Sequence, residues 1–330
     1  MTNVLESPQQ QTNSLSNLML LCLLLVGVFT LSIAAILTRF SEQYIGPNAT
    51  VFNRFWIGTA IFGMWRVGKA IASRSPRDSP TPNNTYTTSD ILLLILSATV
   101  TSISHISWVW SLTLTNVSNA NLLHNLTPIF ATFGGWLLFG QSFDRRFLIG
   151  MFLTVVGAFA IGIQDFQVAN EQLIGDGLAL FSAVFYAGNF LVTEKLREKF
   201  STTSILFWSC FLRVFLTFPI VFFTEKQIFP SSLEGWIPVF CLALFCQVIG
   251  SAILGYSLKQ FSSGFISLFL LLEPIITTTL AWVIFGEHLS FFNLLAFVVV
   301  LFGIYIAKSG RGSEKEEAKL VPDTVGCPNE

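Results

Sequence analysis

Charge is what this 330-residue sequence has least of: Asp, Glu, Lys and Arg together make up 11% of it. A soluble domain carries about 25%, so the chain cannot cover a water-facing surface of ordinary polarity, and a soluble enzyme is excluded. A net charge of -1 leaves no basic face for nucleic acid and no acidic tail for a basic partner. Cysteine is also scarce and scattered: Cys22, Cys210, Cys241, Cys246 and Cys327 form no CxxC pair and have no neighbouring His to complete a metal site. They read as small apolar packing residues. No GxxxxGK[ST], HExxH or GxSxG motif is present, so ATP hydrolysis and protease or esterase chemistry have no carrier. No cofactor and no metal are expected. The first sixteen residues hold no Lys or Arg, unlike a secretory or transit peptide, so the first apolar run is expected to remain in the protein.

What the chain has in abundance is apolar length. Hydrophobic residues make up 52%, 34 of them Phe, and the mean hydropathy is +0.66. A bilayer core of about 30 Å needs roughly 20 apolar residues per helix. Ten segments of that size fit, at about 17-40, 47-67, 90-112, 116-140, 146-164, 173-194, 203-224, 235-257, 263-286 and 290-308. The ends, 1-16 and 309-330, are polar and read as disordered; the Ser-, Pro- and Asn-rich stretch between Arg66 and Asp90 reads as an exposed loop. Ten spans place both termini on one side. Of the 18 Lys and Arg residues, fourteen fall on that side, only Arg39 and Lys226 fall opposite, and Arg54 and Arg213 lie inside predicted helices. By the positive-inside rule both termini are cytoplasmic.

The chain also repeats itself. Residues 111-157 overlay 257-303 at a constant offset of 146 with no gap, and twelve positions match. Four of the pairs, Pro128/Pro274, Trp136/Trp282, Gly140/Gly286 and Gly157/Gly303, are residue types that apolar composition alone does not align. Five helices per half is an odd number, so the second half enters the membrane from the opposite side. The expected fold is therefore an all-α polytopic membrane protein, ten transmembrane helices as two inverted five-helix repeats, 17-164 and 173-308. Inverted repeats are the architecture on which alternating access around a midplane site is built.

The stretch WSLTLTNVSNANLLHNLTPIFATFGGWLLFGQSF and its counterpart YSLKQFSSGFISLFLLLEPIITTTLAWVIFGEHLS resemble the duplicated signature of the drug/metabolite transporter (DMT) superfamily, EamA type. The shared pattern is an aromatic-x-Leu stretch, a small polar run, a mid-helix Pro, and an aromatic followed by Phe-Gly and Glu or Gln. The resemblance implies a ten-helix transporter whose cavity is lined mainly by helices 3, 4, 8 and 9 and the inner faces of 1 and 6. The first half carries Gln141 where the family often has Glu, which the second half keeps as Glu287. Substrates across the superfamily are too varied for the family to supply one.

A polar group inside a span is costly, about 2.5 to 3.5 kcal/mol for a central charge, and so faces a cavity or a partner. Glu273, next to Pro274 in mid-helix 9, is a candidate for proton coupling or substrate contact, because low dielectric favours a protonated carboxyl. The alternative is a structural role at the backbone that Pro274 loosens. In helix 4, Asn121, His124, Asn125 and Pro128 form one polar stripe at helical spacing; His124 is a second candidate proton carrier. Pro128 and Pro274 are the expected kinks. His105 and Trp108 share a face of helix 3, while Trp110 reads as an interfacial anchor. Tyr186 and Asn189 on helix 6, and Gln247 and Ser251 on helix 8, complete the candidate cavity, with interhelical hydrogen bonding as the alternative. For Arg54 and Arg213 a structural or interfacial role is expected. Sequons at Asn48, Asn83, Asn116 and Asn125 carry little weight.

The expected activity is secondary transport of a small organic metabolite, an amino acid or related compound, in the export direction. Nucleotide-sugar or sugar-phosphate exchange, which needs several basic groups in the cavity, is the alternative within the superfamily. A channel or lipid scramblase is the alternative of another class. Expected partners are the small-molecule substrate, the lipid bilayer, protons and a second copy of the chain, with the plasma or inner membrane as location.

Overall fold

The computed structural model describes residues 8–72, 87–115, 117–162, 172–285, 291–310 and 312–313. Among these there are helices and no β-strand: α1 (Pro8–Ser32), α2 (Ala34–Ser41), α3 (Pro47–Ala72), α4 (Thr88–Leu114), α5 (Val117–His124), α6 (Thr127–Phe139), α7 (Arg145–Gly162), α8 (Leu173–Leu196), α9 (Thr202–Thr224), α10 (Leu233–Cys241), α11 (Ser251–Ser257), α12 (Ser263–Phe269), α13 (Glu273–Phe285) and α14 (Phe291–Ser309). A π-helical stretch, Leu242–Gly250, joins α10 to α11, and a 3₁₀ turn, Leu270–Leu272, joins α12 to α13.

These elements line up as rods on the ten expected segments. The first is α1 with α2, the fourth α5 with α6, the eighth α10 with the π stretch and α11, and the ninth α12 with α13. Eight stretches are long and apolar enough to cross a membrane: Met19–Thr38, Thr88–Ser111, Ala120–Phe139, Leu173–Leu196, Thr202–Thr224, Leu233–Ser257, Ser263–Leu280 and Phe291–Ser309. The other two rods are α3 and α7. α1 starts at Pro8, within the stretch 1-16 expected to be disordered, because Pro fits the first turn of a helix and the following Gln residues are good helix formers. Asn83, Asn116, Glu287 and Cys327 lie outside the described residues.

The duplication is visible in the packing of α7 against α14. A Cβ on Gly150 would collide with the backbone at Ala307, one on Gly303 with Thr154, and one on Gly157 with Val300. Position numbers rise along α7 as they fall along α14, so the two helices are antiparallel. They are also equivalent elements of the repeat, since Gly303 is the counterpart of Gly157 and Val300 of Thr154. Gly303 thus sits on residue 154 as Gly157 sits on that residue's counterpart, the reciprocal contact of a two-fold relation. The two halves are inverted with respect to each other. Small residues let the backbones approach closely enough for dispersion to hold helices together in a lipid solvent that supplies no hydrophobic drive between them.

The other contacts repeat the relation: α3 packs on α9, α6 on α12, and α4 on α8 as α1 packs on the π stretch and α11. The largest buried apolar cluster, including Leu24, Val28, Leu242, Phe261, Phe265, Leu268 and Val300, ties the first rod to the eighth, ninth and tenth. Gly303→Ala is expected to destabilise the protein by about 1–3 kcal/mol through overpacking. Gly177→Ala, where a Cβ meets nothing within 4 Å, should be neutral or slightly stabilising. Thermal unfolding of the two variants in detergent, with equal melting temperatures, would contradict this account.

Candidate functional site

Two helix interruptions face each other across the repeat. Proline has no N–H for the carbonyl four residues earlier, so Pro128 frees the carbonyl of His124 and Pro274 that of Leu270. The His124 carbonyl accepts a hydrogen bond from the Thr127 hydroxyl at 2.6 Å. The Leu270 carbonyl accepts one from the backbone N–H of Glu273. Both helices therefore break just upstream of the proline, at Asn125–Leu126 and Leu270–Leu272, and each proline opens the next helix, where its missing N–H costs nothing. The expected kinks at Pro128 and Pro274 are thus breaks two to four residues earlier. Thr127 and Glu273 are equivalent in the repeat, but Thr127 spends its side chain on the break whereas Glu273 uses its backbone amide, and its carboxyl is left for other contacts.

A third interruption, the π-helical stretch, widens the eighth rod. It brings Gln247 inward, and the Ser251 hydroxyl reaches the carbonyl of Cys246 five residues back at 3.3 Å. Such local widenings of a helix recur at functional sites. Nothing in LALFCQVIG distinguishes it from an ordinary α-helix by sequence.

Between the halves lies a cavity with about 60 Å³ that water can enter. Its lining comes from α1 (Leu31), α3 (Arg54), α4 (Thr101, His105), α8 (Tyr186, Asn189, Phe190, Thr193), α9 (Ile205, Leu206, Ser209, Arg213), the π stretch (Gln247) and α11 (Ser251, Leu254, Gly255, Leu258). Five expected site residues, His105, Tyr186, Asn189, Gln247 and Ser251, meet here. The His105 ring nitrogen Nδ1 is 3.0 Å from the Thr101 carbonyl, and its ring stands edge-on to Phe55 and Tyr186 at 5.6 and 6.3 Å. Asn189 accepts from Ser97 at 3.2 Å, and the Ser97 and Ser209 hydroxyls are 3.4 Å apart.

His124 joins this group from the fourth rod. Its Nδ1 is 2.8 Å from the Ser182 hydroxyl, and its ring lies 5.1 Å from Tyr186 and 6.4 Å from Trp108. Asn121 and Asn125 are half-buried at the α5–α6 break, off the cavity lining. Glu273 is partly exposed although it sits in mid-bundle, so it faces internal space; the Arg54 guanidinium and the Tyr186 ring lie within its electrostatic reach. Tyr256 and Lys259 are exposed outside the cavity, and Trp110 is 45% exposed, as expected of an interfacial anchor.

The arginines depart from expectation. Both line the cavity, so the seventh and second rods contribute its charge, in place of the structural or interfacial role expected. Arg54 donates from Nε to Gln247 Oε1 at 3.1 Å, and Gln247 in turn donates to Cys210 Sγ at 3.3 Å. Arg213, 4% exposed, donates from Nη2 to Thr101 Oγ1 at 3.0 Å and lies over the Phe55 ring at 5.3 Å. The legible signal is the rarity of a cation inside an apolar helix; what the sequence leaves open is the direction each side chain takes. Asn48, by contrast, is buried and donates to Thr224, so its sequon marks a helix-start contact. Among the described residues no cluster of three or more His, Cys, Asp or Glu forms a metal site.

An all-helical membrane protein of two inverted halves, enclosing a polar cavity to which both contribute, has the form of a secondary transporter. The EamA-like transporter family model matches residues 18–163 and 173–308, and the chain belongs to that family, with its domain present twice. Two uncharacterized transporters of Archaeoglobus fulgidus are 22% and 23% identical, over 58% and 56% of this chain and 67% and 61% of their own lengths. The uncharacterized transporter YetK of Bacillus subtilis is 23% identical over 65% of this chain and 67% of its own. The chain thus spans about two thirds of the length of these relatives. A solved crystal structure shares the fold at a TM-score of 0.73, covering 88% of this chain and 96% of that one at 17% identity.

If the Thr127 hydroxyl holds the first break, Thr127→Val leaves a buried carbonyl unpaired and should cost about 1–3 kcal/mol of stability. Thr127→Ser should restore it. Identical unfolding curves for the Val variant and the unmodified protein, measured in detergent, would remove that role.

Proposed function

We propose that this transporter moves a small organic metabolite of amino-acid size by alternating access of its two five-helix halves. The observation that carries the reading is the cavity itself: it sits where the halves meet, both line it, and the π-helical stretch of the eighth rod opens onto it, the arrangement in which rocking one half against the other exposes a fixed site to alternate sides. Its limited volume in this conformation and its mixture of amide, hydroxyl, imidazole and guanidinium donors suit a small polar solute. The end bearing Lys195, Arg197, Lys199 and Lys308 faces the cytoplasm, in the plasma or inner membrane, and transport runs outward. A cysteine placed at Lys199 in a background lacking the native cysteines should resist an impermeant thiol reagent in intact cells; ready labelling would reverse the orientation.

Glu273 is the proton-coupling residue of this reading, with Arg54 from α3, Tyr186 from α8 and Cys246 from the π stretch as the titratable groups in its electrostatic range. His124 is the second carrier. In reconstituted vesicles, uptake should saturate and be accelerated by substrate on the far side. Glu273→Gln should lower the rate about tenfold or more, the scale of losing a positioned proton-transfer group, and flatten its pH dependence. Linear, non-competable flux would instead point to a channel, and an unaltered pH profile would remove Glu273 from the coupling.

A further inference from the structure

The cavity holds two guanidinium groups, and they are not equivalent. Arg54 has a carboxyl, Glu273, in electrostatic range and an amide partner in Gln247. Arg213 is buried to 4% exposure, and its hydrogen bond among the described residues is a single one, to Thr101 Oγ1. Its Nε is buried with no partner at all. Among the described residues the groups in its electrostatic surroundings are Arg54, His105, Cys210 and Tyr186, none of them a carboxylate. One face of the guanidinium lies over the Phe55 ring, and the residue lines the cavity.

A buried cation without a counter-ion is strongly destabilising in a protein interior, and a guanidinium fork with unused donors is shaped to take a carboxylate through two parallel hydrogen bonds. We infer that Arg213, with Arg54 beside it, is the anion-binding element of the transport site, and that it takes a carboxylate group of the solute. Next to this anchor, His105, Tyr186 and Phe55 offer ring edges and faces for the remainder of the solute. This inference rests on the transporter reading and adds to it the chemistry by which substrate is chosen.

The test works with the natural substrate still unidentified. Full-length protein in detergent is melted alone and with each of the proteinogenic L-amino acids, their primary amides, their decarboxylated amines, short monocarboxylic acids and glucose 6-phosphate. Stabilising compounds should carry a carboxylate and lose their effect as the amide or amine. Arg213→Gln, which keeps a donor for Thr101, should weaken the half-saturating concentration of those compounds by at least about tenfold. In the absence of ligand the same variant should melt at the same temperature or a few degrees higher, since an uncompensated charge has been removed. A ligand-free melting temperature several degrees lower, or carboxylates that bind the variant as well as the unmodified protein, would make Arg213 structural and overturn the inference. So would a panel in which only amines, amides or the sugar phosphate stabilise, or in which no carboxylate does. Those outcomes leave alternating access itself to stand or fall on acceleration of uptake by far-side substrate.

Discussion

Inside a bilayer the backbone has no water to turn to, and each unpaired carbonyl or amide costs several kcal/mol. The architecture around the cavity follows from the ways this chain meets that constraint while still interrupting its helices. At the first break a threonine hydroxyl substitutes for the amide that Pro128 lacks. At the second, a tightened 3₁₀ turn lets the amide of Glu273 reach the Leu270 carbonyl. In the eighth rod the ladder is re-registered to five residues through the π stretch. Each solution keeps the backbone paired, and the third also brings Gln247 to the space between the halves.

The rest of the molecule supplies rigidity where the cavity cannot. The α7–α14 contact, with Gly150, Gly157 and Gly303 bringing backbones together, is a close-packed seam on the two-fold relation. The large cluster around Phe261, Phe265 and Leu268 holds the ninth rod against the first and tenth. Packed interfaces of this kind shift between discrete arrangements and do not deform continuously, which suits halves that rock as bodies. Polar pairings between the halves at the cavity are single hydrogen bonds, Arg54 to Gln247 and Arg213 to Thr101, which can be exchanged one at a time.

Much of the fold is legible because the bilayer leaves a coarse imprint on sequence: apolar runs of span length, and an offset of 146 that aligns Pro, Trp and Gly. The inverted relation follows from parity alone and reappears as the reciprocal glycine contacts. The site is legible in part. His105, Tyr186, Asn189, Gln247 and Ser251 stand out as polar residues in apolar helices, and they do converge. The arginines are visible by the same rule, yet their place in the cavity is not, since hydropathy reports that a group is buried without reporting which neighbour it faces. The π stretch and the role of Thr127 leave no trace, because both depend on how a particular carbonyl finds its donor in three dimensions.

The Thr127–Glu273 mismatch has one more consequence. Under the proposed alternating access, had the two halves stayed identical after duplication, the conformers open to either side would be related by the two-fold rotation, equal in energy and equally occupied at rest. A hydroxyl committed to its own helix in one half and a carboxyl left at large in the other break that degeneracy. On that reading the resting protein prefers one facing over the other, and the preference shifts with the charge at position 273. Direction in such a molecule would originate as a divergence between twins.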